Sequence, residues 1–483
     1  MRRYSACVNS HLEISGEHLS LDPKSCRRAR LSRDPRFDGE FFLGVRTTGV
    51  YCRPVCPARP AAERNVQYFR EAAQAAAAGF RPCLRCRPES APGSPAWRGS
   101  SVTVQRALQL ITQGALNREG TMAALADRLG VGERYLRKLF RRELGVSPRA
   151  VAQNRRLLFA KQLLRETALP LTDIAFAAGF GSVRRFNSAV RDSFACTPGE
   201  LRRGGQPTGA GNEIRLRLSY RAPYDWEGVH NFFARHALAG VESVGPQYYR
   251  RNLRVGGAAG WFELRPLAGH DALELRLQLA SLESLMALVC RIRRMFDLDA
   301  NPAVIAATLK QEPALGSLLA RYPGIRSPLC WSPAEAAVRA IIGQQVSIGA
   351  ARTVCARLAA AASTDPSTPC FPEPGAIAAL GDEHFAMPSR RRDTLRAVCA
   401  ALAQDPEAAL DQLGGFPGIG TWTTAMVAMR GQGHSDVFPH RDLGLLRAWR
   451  SLPGAGEDLH SAARRWRPWR SYAANLMWRS LSP

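Results

Sequence analysis

The sequence predicts a multidomain, mainly α chain with α+β parts. It comprises a small α+β module built around four cysteines, an all-α module of paired helix-turn-helix units, and a third module in which a small antiparallel sheet precedes a helical bundle. Three observations carry that prediction. Cys52, Cys56, Cys83 and Cys86 form a C-x3-C and a C-x2-C pair. A helical pattern near residue 126 recurs about 50 residues later, and short alternating runs after residue 213 give way near 280 to helical spacing. At 483 residues the chain exceeds one ordinary core. Stretches rich in Gly, Pro and Ser at 90–101 and 202–213 divide it. The expected units are an extension at 1–33, the cysteine module at 34–90, the helix-turn-helix module at 101–203, the sheet subdomain at 213–300 and the helical body at 301–483. A similar stretch at 363–375 lies between helical patterns and reads as a surface loop.

Charge narrows the partner. The chain holds 66 basic and 41 acidic residues, a net charge of +25, which favours a polyanion. An arginine-biased composition is the alternative, since Lys24, Lys138, Lys161 and Lys310 are the only lysines. Residues 101–203 carry 18 basic against 8 acidic side chains and form the best candidate for a phosphate-binding surface. No apolar run reaches the roughly 18 residues of a membrane span, and the first 20 residues lack the apolar core of a signal peptide. A cytoplasmic chain without a membrane partner is expected. Its twelve cysteines would stay reduced there, so clustered ones point to metal or nucleophile chemistry.

In the first module the two cysteine pairs are separated by 26 residues, a spacing that lets two knuckles close one tetrahedral zinc site. On spacing alone, a structural zinc with solvated arginines is the simpler account. The surrounding FFLGVRTTGVYCRPVCPARP and AAGFRPCLRCRPE, within residues 34–89, resemble the methyl-acceptor domain of Ada-type adaptive-response regulators. The resemblance implies that Cys52 accepts a methyl group from a methylated DNA phosphate while Cys52, Cys56, Cys83 and Cys86 hold zinc. Such a metal keeps thiolates deprotonated at neutral pH. A tetrathiolate centre carries a formal double negative charge, and methylating one sulfur halves it, an electrostatic switch for DNA binding. Arg59, Arg81 and Arg85 flank the cysteines as candidate phosphate contacts. Cys7 and Cys26 lie outside any paired spacing.

In the second module, TMAALADRLGVGERYLRKLFRRELGVSP at 121–148 has apolar residues at helical spacing, a break at Gly130 and then a basic helix. Ala175, Gly179 and Phe180 repeat Ala126, Gly130 and Val131, so an internal duplication is the simplest account. Each unit reads as helix, tight turn, helix, the arrangement that places a helix in a major groove. Residues 101–203 resemble the DNA-binding domain of AraC-type activators, which implies recognition helices at 133–141 and 182–191. Arg134, Arg137, Lys138, Arg184 and Arg185 are then the candidate DNA contacts. Leu136, Leu139, Phe140, Phe186 and Val190 are the faces each helix must bury.

In the third module, IRLRLSY, WFELRP and ALELRLQLA alternate and predict a small antiparallel sheet. FPGIG at 416–420, between two helical patterns, fits a hairpin whose amides at Gly418 and Gly420 bind a phosphate. With Asp442 some 20 residues on, the segment resembles the helix-hairpin-helix glycosylases, nearest to DNA-3-methyladenine glycosylase II of the AlkA type. APYDW at 222–226, FDLDANP at 296–302, GQQVS at 343–347 and PWRSYAANLMW at 468–478 extend that likeness over nearly all of 213–480. It implies that Asp442 is the catalytic carboxylate, that Trp422, Trp478 and Phe232 line the base pocket, and that Gln345 fills the gap left by a flipped base.

Without the likeness, the aromatics read as core and Asp442 as a helix N-cap. Electron-rich rings suit cationic N-alkylated purines. Trp422 stands where backbone-cutting relatives carry a Schiff-base lysine, and Lys310 is the module's only lysine, so a monofunctional enzyme is expected. The cysteines of this module lack cluster spacing, which excludes an iron-sulfur cluster. Met426 and Arg441 depart from the tyrosine and aspartate of the family pattern, and no P-C-H-R methyltransferase motif is present.

The sequence thus leads to a nucleoid-associated alkylation-damage response protein with zinc as cofactor, and with alkylated DNA, promoter DNA and RNA polymerase as partners. It would be an activator and methyl acceptor fused to a glycosylase that excises N-alkylated purines such as 3-methyladenine. The alternative is a transcription regulator whose last domain binds damaged DNA without catalysis.

Overall fold

The computed structural model describes residues 22–34, 37–86, 88, 102–118, 120–203, 213–363, 365, 368–453 and 458–481. The divider at 90–101, Cys7 and most of the second divider, at 204–212, lie outside these residues.

The first module opens on a helix, Pro23–Ser32, capped by Asp22, whose carboxylate accepts from the Lys24 and Ser25 amides. Cys26 and Ala29 of this helix are buried in one core with Phe41, Leu43 and the cysteine cluster, and Arg30 donates to Glu63 (2.6 Å) and to the Ala61 carbonyl (2.9 Å). The packed unit therefore begins before residue 34, inside what the sequence alone leaves as an extension. Cys26 serves its core and stands outside the four-sulfur group. Strands β1 (Phe42–Val45), β2 (Val50–Cys52), β3 (Val66–Phe69) and β4 (Arg81–Pro82) form a sheet in the order β3-β1-β2-β4. Only the β2–β4 pair is parallel.

The second module is all α. Helices Met122–Arg128 and Glu133–Leu144 form one unit, Leu171–Ala177 and Val183–Phe194 the other, joined by the long helix Pro148–Glu166. Gly130 (φ 64°) and Gly179 (φ 84°) turn each unit in the left-handed region that only glycine enters freely. Both second helices run past the boundaries expected from sequence, because their apolar face continues through the buried Leu144 and Phe194. Ser182 stands outside its helix as the N-cap, its Oγ accepting from the Arg185 amide (3.3 Å). Leu136, Leu139, Phe140, Phe186 and Val190 are all buried.

The third module begins with β5 (Ile214–Ser219), β6 (Glu242–Gly245), β7 (Tyr248–Val255), β8 (Ala258–Pro266) and β9 (Ala272–Gln278), antiparallel throughout in the order β5-β9-β8-β7-β6. Strands β6 and β7 escape sequence reading for a physical reason. The inward face of β7 carries Arg251 between Tyr249 and Leu253, buried by ion pairs to Glu242 (2.9 Å) and Glu335 (2.6 Å), so its pattern is not one of apolar alternation.

The helical body holds two cores. One joins buried residues from 300–325 to others from 438–477 and the other gathers buried residues from 337–427, with Leu238 and Val241 from outside the body. Between them runs a cleft.

The modules share packing. Helix Pro148–Glu166 covers the open edge of β5: Gln162 Nε2 donates to the Arg217 carbonyl and the Arg217 amide donates to Glu166, both at 3.0 Å. The second helix-turn-helix unit and the sheet contribute to one continuous core. Lys161, fully buried, donates to the carbonyl of Cys83 (3.0 Å), and Arg221 donates to the Asp38 carbonyl (2.7 Å).

Candidate functional site

The parallel β2–β4 pair explains how cysteines 26 residues apart meet. Tyr51 lies opposite Pro82 and the Cys83 amide donates to the Tyr51 carbonyl (2.9 Å), so Cys52 and Cys83 leave the two strands side by side. Turns of a few residues then bring in Cys56 and Cys86. The four Sγ atoms all lie within 4.8 Å of one another. A zinc ion at about 2.3 Å from each sulfur needs them roughly 3.8 Å apart, so the donor set fits. Hydrogen bonds among the thiols hold Cys83 well below the ordinary thiol range and Cys56 down to about 7, while Cys52 and Cys86 are pushed up. The Arg53 amide donates to Cys86 Sγ (3.3 Å) and its guanidinium to the Cys86 carbonyl and to Asp38. Cys52 is buried and Cys56 half-buried, whereas Arg59, Arg81 and Arg85 are exposed on the same module.

Arg134, Arg137, Lys138, Arg184 and Arg185 are all exposed on the second helices of their units, opposite the buried faces. Arg137 pairs with Glu133 one turn earlier. Tyr135, an exposed aromatic on the same helix, was not singled out by charge or periodicity.

The cleft of the helical body opens into a cavity of about 580 Å³ lined by Phe232, Trp422, Met426, Arg430, Asp442 and Trp478 among others. Asp442 precedes helix Leu443–Ser451 and caps it, Oδ1 accepting from the Leu445 amide (3.0 Å). The same carboxylate accepts from Trp478 Nε1 on Oδ1 (3.0 Å) and from Trp422 Nε1 on Oδ2 (2.9 Å). Capping and a place in the pocket, alternatives in the sequence, are therefore combined in one group. Gly444 permits the arrangement: a Cβ there would lie 3.0 Å from Asp442 Oδ1 and 3.2 Å from Trp478 Nε1.

Gly418 (φ 82°) and Gly420 are exposed in the hairpin, which the Ile419 amide closes onto the Phe416 carbonyl (3.1 Å). Gln345 is exposed with φ 57° on the loop before helix Ile348–Ala361. Its neighbour Gln344 ties that loop to the hairpin through the Gly418 carbonyl (3.0 Å) and Thr423 Oγ1 (2.9 Å).

Sequence reasoning missed Gln344, Gly444, His236 and Arg430. The signal for Arg430 was present: Trp422, Met426 and Arg430 recur every four residues, placing a charge on the face that carries the pocket tryptophan. His236 lies tilted against Phe232 (ring centroids 4.5 Å apart, planes at 31°) and burial pulls its imidazole down to about 4.

Over 482 residues the chain is 41% identical to a "Probable bifunctional transcriptional activator/DNA repair enzyme AlkA" of Mycobacterium tuberculosis, spanning 95% of this chain and 97% of that protein. The chain belongs to that bifunctional family. Models of the metal-binding domain of Ada, a helix-turn-helix domain and the AlkA N-terminal domain match residues 25–89, 125–204 and 215–332 of this family member. Its last part is 34% identical over 278 residues to DNA-3-methyladenine glycosylase 2 of Escherichia coli, covering 54% of this chain and 95% of that one. Its first part is 36% identical over 176 residues to the "Bifunctional transcriptional activator/DNA repair enzyme Ada" of Escherichia coli, covering 36% and 48%. It combines an Ada-type zinc-binding module, in which the four clustered sulfurs form a donor set that could hold the metal, with a helix-turn-helix regulator and an AlkA-type glycosylase. Among the described residues no helix is long and apolar enough to cross a membrane.

Proposed function

We propose that this chain takes methyl groups from methyl phosphotriesters in DNA onto Cys52, activates transcription in response, and excises N-alkylated purines such as 3-methyladenine as a monofunctional glycosylase. The observation that carries the enzymatic half is the Asp442 carboxylate, held by two indole N–H groups at the wall of a cavity large enough for a base. The hairpin at Gly418 and Gly420 would grip a phosphate of the lesion strand, and Gln345 would enter the stack as the damaged nucleotide leaves it.

Inside the cavity the base departs with the electrons of its bond to the sugar, leaving positive charge on the deoxyribose. Asp442 stabilises that charge and directs a water to the same carbon, whose proton passes to the carboxylate or to solvent. An alkylated purine is already cationic and leaves as a neutral base. Among the described residues no lysine lines the cavity, and Trp422 occupies the wall, which supports hydrolysis without strand cleavage.

In the first module, Cys52, Cys56, Cys83 and Cys86 would hold a zinc ion, which when bound would keep their sulfurs in the nucleophilic thiolate form. The Cys52 sulfur attacks the methyl carbon, the carbon–oxygen bond breaks, and the restored phosphodiester leaves as an anion. Arg59, Arg81 and Arg85 would hold neighbouring phosphates. Arg134, Arg137, Lys138, Arg184 and Arg185 would engage promoter DNA, with RNA polymerase as the partner of activation.

The decisive test uses duplex containing 3-methyladenine. The protein should release free base, and Asp442→Asn should lower release by at least about a thousandfold with DNA binding retained; unchanged release rejects the assignment. Mass spectrometry after exposure to methylated DNA should place the added methyl on Cys52. A methyl on the more exposed Cys56 would move the acceptor role there.

A further inference from the structure

The pocket carries a cation of its own. Arg430 is buried in the turn that follows helix Thr421–Val427, with its guanidinium carbon 4.4 Å from the centre of the Phe232 ring and 5.2 Å from that of Trp478. Its Nη1 donates to the Pro328 carbonyl and its Nη2 to Asn475 Oδ1, both at 2.8 Å. Asn475 is itself fixed, its Nδ2 donating to Ser327 Oγ (3.1 Å) and to the Ser471 carbonyl (2.7 Å), so its oxygen must face the arginine. Among the described residues no carboxylate forms an ion pair with Arg430. Burial pulls its pKa down to about 10, with Cys330 and Asp442 acting in the opposite sense, and the group stays protonated at neutral pH.

Aromatic faces attract cations because the ring centre is electron-rich, and an arginine already on the face uses that attraction. A positively charged base stacked on Phe232 or Trp478 would also lie close to a like charge. At an effective dielectric constant of about 20, such repulsion is worth on the order of tenfold or more. We propose that Arg430 is a specificity-determining residue. Its guanidinium, seated on Phe232 and Trp478, cancels the preference that the aromatic walls would give to cationic bases and shifts the pocket toward neutral ones. This inference rests on the glycosylase reading of Asp442 and reverses the expectation that the rings select positive charge. Cationic lesions are still released, because their own charge makes them good leaving groups.

The experiment measures single-turnover release of 7-methylguanine (cationic) and hypoxanthine (neutral) from otherwise identical duplexes. Arg430→Gln removes the charge and should move the ratio of the two rates about tenfold toward 7-methylguanine. Arg430→Lys keeps the charge and should leave the ratio within about twofold. A merely structural role would lower both rates together and leave the ratio unmoved, which overturns the proposal.

Should Arg430→Gln fail to fold, the unmutated protein decides. Its acceleration over spontaneous base loss should be larger for hypoxanthine than for 7-methylguanine, and an equal or smaller acceleration overturns the proposal. If neither base is released, the catalytic reading itself falls and the role of Arg430 with it. Release of both with the wrong ratio overturns the role of Arg430 alone.

Discussion

The two candidate sites are built on opposite plans. In the zinc-binding module four identical sulfurs come from two short turns, and one parallel strand pair brings them together. In the glycosylase cleft the functional groups are chemically different, and they arrive from four distant segments, around residues 232, 422–430, 442 and 478. A metal imposes its own coordination geometry, so the chain need only deliver sulfurs to the neighbourhood. A carboxylate imposes none, and its direction must be supplied by neighbours such as the Trp422 and Trp478 indoles.

Metal removal tests that contrast most severely. A strong chelator should abolish methyl transfer and the separate melting of the first module, while base release stays within about twofold. A parallel loss of base release would show that the contacts of Lys161 with Cys83 and of Arg221 with Asp38 couple the two sites. Next in size, Trp478→Phe or Trp422→Phe keeps a ring but removes one donor to Asp442. Each should lower kcat roughly thirtyfold with little change in KM, and a loss below threefold would mean that the indoles only fill space.

The smallest effect concerns pH. Burial holds His236 at about 4, below the ordinary value near 6.5, so the unfolded chain binds the proton first as the solution is acidified. Stability present at neutral pH is therefore lost as pH falls from about 6.5 toward 4. The melting temperature across that window should drop by a few degrees more for the unmutated protein than for His236→Gln; parallel curves would show that folding does not depress the pKa of His236.

The same contrast governs what could be read from the chain. Cysteine spacing foretold the metal site because spacing is the information such a site requires. The duplicated glycine turns at Gly130 and Gly179 made the helix-turn-helix units legible for a similar reason. Asp442, Trp422 and Trp478 were legible through resemblance, not through periodicity, since nothing local says that residues 20 and 36 positions from a partner will share its oxygens. Gly444 was missed because its role exists only after folding, as absent bulk between Asp442 and Trp478; the spacing from Trp422 and Met426 put Arg430 on the pocket face, but its seat on rings from separate segments exists only in the fold. Strand β7 was hidden by Arg251, a buried ion where alternation calls for an apolar residue.

The helix that lies along β5 also decides how this polypeptide can be divided. Gln162 and Glu166 occupy backbone groups of Arg217 that an outermost strand otherwise offers to any passing chain. A repair half severed near residue 210 would keep its cleft but bare a sticky margin, inviting self-association. The regulatory half thus doubles as a selvedge for the enzyme, quite apart from anything it does at a promoter.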